Sequence, residues 1–409
     1  MKIDHIKKEI FDNLIPISLS IFIIFSVFNV PFLLRLFFFI VLTSVFLLKE
    51  NIKKSFNEYF NNIHIILFSI YCLFSFIFIN SDYSFSHSPQ ILNILALSFL
   101  SIFIARNSAS IYKKTMEYSI IFTSIILLVS VIIHWFVFES NFLSASLFLK
   151  EFSVEDYATK NTLGVFICLL IPYLIFKMMK NLSVFNIISF LIFTISIFYL
   201  FSRTALVLYF TILILMILTL NRRILLTSLL IIILIITAAF IFKITPEKYN
   251  YLKGMSNQQI KINTNYDLES AKDVFSLSSY RSKYIIKGIE GFFENPIMGK
   301  GLTTFQQNNV ELDSTQKILR MQTSHNDYAQ ILFEQGFVGI FMIFYIYYVI
   351  LYRLFPLRKK ETLVNFKIIQ FLILIISMNF INLLDHALFW IFISLNNMSK
   401  ETSKNKIIY

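Results

Sequence analysis

YSIIFTSIILLVSVIIHWFVF, residues 118–138, carries no Asp, Glu, Lys or Arg over 21 positions. A run of that length and composition suits a helix crossing hydrocarbon, which takes roughly 17 to 25 predominantly apolar residues. Runs of the same kind occupy 63–79 and 224–242. In lipid each must be helical, because hydrocarbon offers no partner to a free backbone N–H or C=O. The whole chain has the same character: 57% of its 409 residues are hydrophobic, 48 are Phe, and only 15% are charged. A soluble globule carries roughly 25% charged residues, and the mean hydropathy of +0.71 likewise excludes one. The expectation is an all-α, polytopic transmembrane helix bundle.

Working outward from 118–138, spans are predicted at 14–30, 32–48, 63–79, 91–105, 118–138, 162–176, 184–201, 204–220, 224–242, 337–352, 363–381 and 387–398, about twelve crossings by length. With the amino terminus in the cytoplasm, the clusters Lys49/Lys53/Lys54, Arg106/Lys113/Lys114, Lys177/Lys180, Arg222/Arg223, Arg353/Arg358/Lys359/Lys360 and Lys400/Lys404/Lys406 all fall inside. Both termini are then cytoplasmic. The formal charge of +12 is accounted for by this topology, and no nucleic-acid partner is needed to explain it. The start of the chain is basic, but the apolar segment that follows is long and lacks a small-residue cleavage site, so a retained first span is predicted. Cys72 and Cys168 lie inside apolar runs, and no disulfide framework is implied.

One polar stretch interrupts the apolar chain, from Lys243 to Gln335. The domain reading is a bundle over 1–242, a large periplasmic loop carrying the chemistry over 243–336, and carboxy-terminal spans with a cytoplasmic tail over 337–409. The loop is expected to pack on the bundle and to be partly helical. From Ser279 the apolar positions Tyr284, Ile285, Ile289, Phe292 and Phe293 recur at helical spacing, and Asn295-Pro296 ends the run. A second helix is predicted from Ser324, with Asp327 as its capping-box partner, stopping at Gly336.

Several residues there could carry chemistry, and each reads two ways. Arg281 is either an amphipathic arginine reaching headgroups or a phosphate clamp, since its fork of donors matches phosphate oxygens and never loses charge. His325, at a helix start, is either a capping histidine or an imidazole able to take a proton. Arg203, in Ser202-Arg203-Thr204 at a membrane boundary, is either snorkelling or functional; Lys160-Asn161 stand at the mouth of the preceding span. Asp385-His386 is a proton-handling pair or, as favoured, a simple turn. Glu334 orients a neighbour or faces water. Glu311 and Asp313 are a weak metal-motif match, and no second His or Cys stands at ligand spacing, so no metal is expected. There is no P-loop, GxGxxG or GxSxG.

Three segments together resemble the O-antigen ligase and O-antigen polymerase superfamily of membrane glycosyltransferases. They are Ser324-His325-Asn326-Asp327-Tyr328-Ala329-Gln330, running through Glu334, Gly336 and Gly339; Arg281 to Glu294 followed by Asn295-Pro296-Ile297-Met298-Gly299-Lys300-Gly301; and Ser202-Arg203-Thr204-Ala205 with Lys160-Asn161-Thr162-Leu163-Gly164 one hairpin earlier. Ala329 departs from the larger apolar residue such sequences often carry. The resemblance implies an inverting transfer of a glycan from an undecaprenyl-pyrophosphate carrier to an acceptor hydroxyl, without metal or cofactor. His325 and Arg281 would then be catalytic, and Arg203, Lys160, Asn161 and Asn326 would bind the pyrophosphate or substrate.

Within the family, a repeat-unit polymerase of surface polysaccharide is favoured by the Phe- and Ile-rich, divergent character and the His-Asn-Asp-Tyr wording. A ligase joining the glycan to lipid A-core is the alternative. The expected partners are the lipid-linked donor, a glycan or lipid-linked acceptor, membrane lipids and a chain-length regulator protein. The expected location is the bacterial inner membrane with the site on the periplasmic side, in lipopolysaccharide and polysaccharide biosynthesis. A flippase or transporter of lipid-linked oligosaccharide would also have about twelve spans, but would place ionisable or Gly/Pro-broken segments at mid-membrane.

Overall fold

The computed structural model describes residues 2–28, 62–79, 88–137, 158–199, 202–219, 281–308, 310–313, 318–321, 324, 326–359, 361–384 and 386–397. The expected spans at 32–48 and 224–242, and residues 243–280 of the expected loop, lie outside them. The described elements are α1 (Lys2–Val27), α2 (Ile63–Phe74) running into a π-helical turn (Ser75–Ile79), α3 (Ser88–Val137), α4 (Ala158–Lys180), α5 (Val184–Tyr199), α6 (Arg203–Thr219), α7 (Arg281–Glu294), α8 (Thr304–Asn308), β1 (Val310–Asp313), β2 (Ile318–Met321), α9 (Asp327–Leu354), α10 (Thr362–Ser377) and α11 (Ala387–Asn396). The fold is helical, with one short antiparallel ribbon, β1–β2, that periodicity did not suggest.

Among the described residues, Asn161–Lys180 and Asp327–Leu357 are long and apolar enough to cross a membrane, beside seven shorter apolar helices. α4 is apolar all round and sits at the centre, with Val165 to Ile171 fully buried. α9 instead turns an aromatic face outward: Phe337, Phe341, Tyr348 and Tyr352 are each about three-fifths exposed. A face so apolar and so extended is stable against hydrocarbon, not water.

Two spans expected at 91–105 and 118–138 form one continuous helix, α3. At 50 residues it is about 75 Å long at the rise of an α-helix, more than twice the roughly 30 Å of hydrocarbon. The cluster Arg106 to Lys114 lowers hydropathy and so looks like a loop. It contains no Gly or Pro, and Ala, Arg and Lys are good helix formers, so nothing in it breaks the backbone ladder.

The helix expected to stop at Gly336 does end its regular ladder there, and the span expected from 337 starts at once beyond it. α9 continues through a break there, where Gly336 has φ 60° and ψ −153°, a region open essentially to glycine alone. The turn Asn295 to Gly301 is inserted into that break. Phe337 and Val338 N–H donate to the carbonyls of Pro296 (2.8 Å) and Ile297 (3.1 Å), while Lys300 and Gly301 N–H donate to those of Phe333 (2.9 Å) and Glu334 (2.8 Å). The remaining carbonyl at the break, that of Gln335, accepts from Tyr71 Oη of α2 at 2.8 Å. Two N–H groups and three carbonyls that the break would orphan are thus taken up by one turn and one tyrosine.

Gly299 and Gly336 face each other across this joint. A Cβ at Gly336 would lie 2.6 Å from Gly299 N and Ile297 O, both backbone atoms that cannot step aside. Gly336→Ala is expected to lower stability by about 1–3 kcal/mol or more from the backbone conformation alone, read as a fall in the melting temperature of the detergent-solubilised protein. An unchanged melting temperature would mean that the turn and the break are not rigidly joined.

Candidate active site

α7 and α9 run side by side in the same direction. Gly288 lies against Ala329, where an added Cβ would be 2.9 Å from the Ala329 Cβ, and Gly291 lies against the Phe333 ring, where an added Cβ would be 2.1 Å from Cδ2. Advancing three residues on one helix and four on the other keeps contact, as parallel packing requires. This explains the departure at Ala329: with a glycine opposite, the backbones approach too closely for a larger side chain. The same register carried backward brings the first residue of α7, Arg281, to the end at which α9 starts.

α9 opens at Asn326, not at Ser324. The Asn326 side chain accepts from Ala329 N at 3.0 Å, and Ser324 Oγ accepts from Asn326 N at 3.1 Å. The capping box expected of Asp327 fails because its carboxylate is engaged elsewhere: it accepts from Leu383 N at 2.7 Å and Leu384 N at 3.4 Å. Asp327 N also donates to Met378 O at 2.8 Å, and Asn326 Nδ2 to Asn379 O at 3.3 Å. The start of α9 is therefore bolted to the carboxy-terminal end of α10. His325 itself lies outside the described residues; its neighbours Ser324 and Asn326 are both placed here.

The other predicted residues sit on α4 and α6. Ser202 Oγ donates to Asn161 Oδ1 at 2.7 Å and accepts from Ala205 N at 3.2 Å, so it caps α6 while holding the first turn of α4 beside it. Arg203 is the first residue of α6, and Lys160 stands in the first turn of α4. α4 is antiparallel to α10: Phe176 meets Phe366 with ring centroids 5.3 Å apart, and Gln370 Nε2 donates to Leu169 O at 2.6 Å. The amino-terminal end of α4 is consequently the end at which α10 finishes and α9 begins. Four helix starts, those of α4, α6, α7 and α9, share one end of the bundle, with α10 between the two pairs.

The remaining candidates resolve differently. His386 caps α11, its Nδ1 accepting from Leu388 N at 3.1 Å and its Nε2 3.2 Å from Ser26 O; it belongs to a turn, and Asp385 lies outside the described residues. Glu334 does not face water: it is 2% exposed and its Oε1 accepts from Phe305 N at 3.2 Å and Gln330 Nε2 at 3.2 Å. Glu311 is on β1, paired in register with Arg320 of β2. Among the described residues no three His, Cys, Asp or Glu cluster as metal ligands. Sequence reasoning missed Gln330 and Asn382, which meet through a hydrogen bond from Asn382 Nδ2 to Gln330 Oε1. Gln330 and Glu334 are four apart on one helix, a spacing that could have flagged them; nothing in the sequence connects them to Asn382.

Residues 188–344 match the family model described as O-antigen ligase. The match runs from α5 into α9, covers about two-fifths of the chain, and takes in Arg203, Arg281, His325 and Asn326. Comparison with curated proteins gives no match.

Ala329→Leu tests the close approach of α7 and α9. Overpacking a site this tight costs about 1–3 kcal/mol, and it should displace the start of α7 from that of α9. A lower melting temperature together with reduced glycan product is expected; full retention of both would show that the two helices can separate without consequence.

Proposed function

We propose that the chain is a glycan polymerase that transfers an undecaprenyl-pyrophosphate-linked oligosaccharide to an acceptor hydroxyl at the periplasmic face of the inner membrane. The observation that carries this reading is the set of four helix starts at one end of the bundle. The four starts bring the positive ends of four helix macrodipoles to one end, which favours an anion there. Three of these starts also carry a cation in their first turn: Lys160, Arg203 and Arg281. A cation there opposes the helix dipole, so the local arrangement is unfavourable by itself. It becomes favourable when a multiply charged anion occupies the same end, and a pyrophosphate is such an anion.

In this reading Arg281 and Arg203 neutralise the departing pyrophosphate, the task a divalent cation performs in other glycosyl transfers. Lys160, Asn161 and Asn326 hold the phosphates and neighbouring sugar. His325 takes the proton of the acceptor hydroxyl as its oxygen attacks the anomeric carbon from the side opposite the leaving group, which inverts that centre. The carbon–oxygen bond to the pyrophosphate breaks as the new glycosidic bond forms, and the bond pair leaves with the pyrophosphate. The reaction needs no redox partner. The exposed aromatic face of α9 meets the lipid in which the polyprenyl chain lies.

Polymerase is preferred to ligase on the His-Asn-Asp-Tyr wording and the Phe- and Ile-rich composition; the acceptor alone separates them. In a strain lacking the gene, complementation by the parent should restore a ladder of glycan lengths. His325→Ala and Arg281→Ala should leave at most single repeats, with the protein still inserted and abundant, the loss of general-base help alone being about 10² to 10⁴ in rate. Arg281→Lys should fail too, because a point charge does not replace the planar fork. A near-normal ladder from either alanine variant removes that residue from the mechanism, and loss of all surface attachment in the gene-deleted strain points to the ligase.

A further inference from the structure

We infer that α7 is an interfacial helix whose exposed apolar stripe, Ile286, Ile289 and Phe293 with Ile297 in the turn that follows, contacts the acyl chains of the leaflet next to Gly336. The inference needs only that the chain sits in a bilayer, not that it transfers a glycan.

α7 has four distinct sides. Tyr284, Gly288 and Gly291 are buried, the two glycines against Ala329 and Phe333 of α9. At about 100° per residue, Ile286, Ile289 and Phe293 fall on the opposite side, and Phe293 and Ile297 are 75% and 66% exposed. The charged side chains Lys287, Glu290 and Glu294 keep to one flank, and the half-buried Ile285 and Phe292 to the other. A helix packed on a protein surface in water would carry its charge where Ile286, Ile289 and Phe293 stand. One lying along a membrane turns a charged flank to water and its remaining sides to hydrocarbon. Glu294, the charge nearest the tip, is moreover paired with Lys300.

The level of α7 follows from α9. From Phe337 to Leu357 the chain rises about 30 Å, the thickness of the hydrocarbon, so Gly336 marks the edge opposite Arg358 and Lys359. The segment Asp327–Gln335 does not stand off from that edge. In a straight helix Tyr328 and Phe344 would be about 24 Å apart. Here their rings stack with centroids 6.0 Å apart. Tyr328 Oη donates to Ile375 O of α10 at 2.9 Å, and a Cβ at Gly339 would lie 3.1 Å from Ile331 Cγ2. The break at Gly336 therefore folds the first segment of α9 back beside the span, level with the span's first turns. α7 lies along that folded segment and shares its level.

The stripe also runs on into a face already assigned to lipid. The carbonyls of Pro296 and Ile297 accept from Phe337 and Val338 N–H, which sets Ile297 beside Phe337 at the head of the exposed aromatic face of α9. The two apolar surfaces are one, too extended to be stable against water. A consequence concerns Arg281. Standing upright on the membrane, α7 would carry its first residue about 20 Å into water; lying along it, α7 keeps Arg281 at headgroup depth.

The test uses the full-length protein in proteoliposomes of phosphatidylethanolamine and phosphatidylglycerol, with one nitroxide at a time attached through Ile286→Cys, Ile289→Cys, Phe293→Cys or Glu290→Cys. Cys72 and Cys168 are fully buried, and the parent treated with the same label supplies the background. Power-saturation EPR reads collision with oxygen, which concentrates in hydrocarbon, against collision with a water-soluble nickel chelate. Oxygen should dominate at 286, 289 and 293 and the chelate at 290, so that the ratio inverts between 289 and 290. Chelate-dominated collision at 289 and 293 would put the stripe in water. Low collision with both would mean that protein covers it, a second copy or another segment of this chain. Either result overturns the inference. Should Phe293→Cys fail to accumulate in the membrane, Ile289→Cys carries that arm. The readout does not depend on glycan product, so this inference and the catalytic reading of His325 stand or fall separately.

Discussion

The structure around the candidate site depends on an exchange of backbone hydrogen bonds between a broken helix and the turn that fills the break. At Gly336 the ladder of α9 is interrupted, which inside a lipid-embedded bundle would strand several donors and acceptors at a cost of several kcal/mol each. The turn Asn295 to Gly301 supplies two carbonyls and two N–H groups at the required places, and Tyr71 supplies a hydroxyl. Because both sides of the exchange are backbone, the distance between α7 and α9 is set to within a fraction of an ångström. Glycine is needed at 299 and 336 for the approach itself, since a Cβ on either would meet main-chain atoms at 2.4 to 2.7 Å.

From that joint the site geometry follows. α7 cannot slide along α9, because Gly288 and Gly291 are seated on Ala329 and Phe333, and so its first residue, Arg281, is held at the start of α9. The start of α9 is in turn fixed by the Asp327 carboxylate to the turn that follows α10 and by Asn326 to Asn379 at the end of α10, and α10 lies antiparallel to α4. The arrangement gathers the amino termini of α4, α6, α7 and α9 at one end of the bundle.

Much of the bundle was legible from composition, because the apolar requirement of a membrane is a statement about length and hydropathy that each segment satisfies independently. The predicted helices at 63–79, 162–176, 184–201, 204–220, 363–381 and 387–398 all correspond to described helices within a few residues. Charge at Arg106 to Lys114 reads as a loop, although charge without Gly or Pro does not break a helix; Gly336, by contrast, interrupts α9 as its residue type suggests. The ribbon β1–β2 was invisible because four-residue strands leave too short an alternation to detect.

The sequence by itself determined the class of protein, the helical segments, and which residues have the chemistry to neutralise a phosphate or accept a proton, since these depend on side-chain type and local spacing. Only the tertiary structure decided that Asp327 caps a neighbouring turn instead of its own helix, that Ala329 is small because a glycine lies against it, and that Glu334 is buried with Phe305 N and the Gln330 amide as partners. Those facts are relations between segments tens to hundreds of residues apart, and a backbone hydrogen bond or a 3 Å contact leaves no periodicity in the chain that makes it.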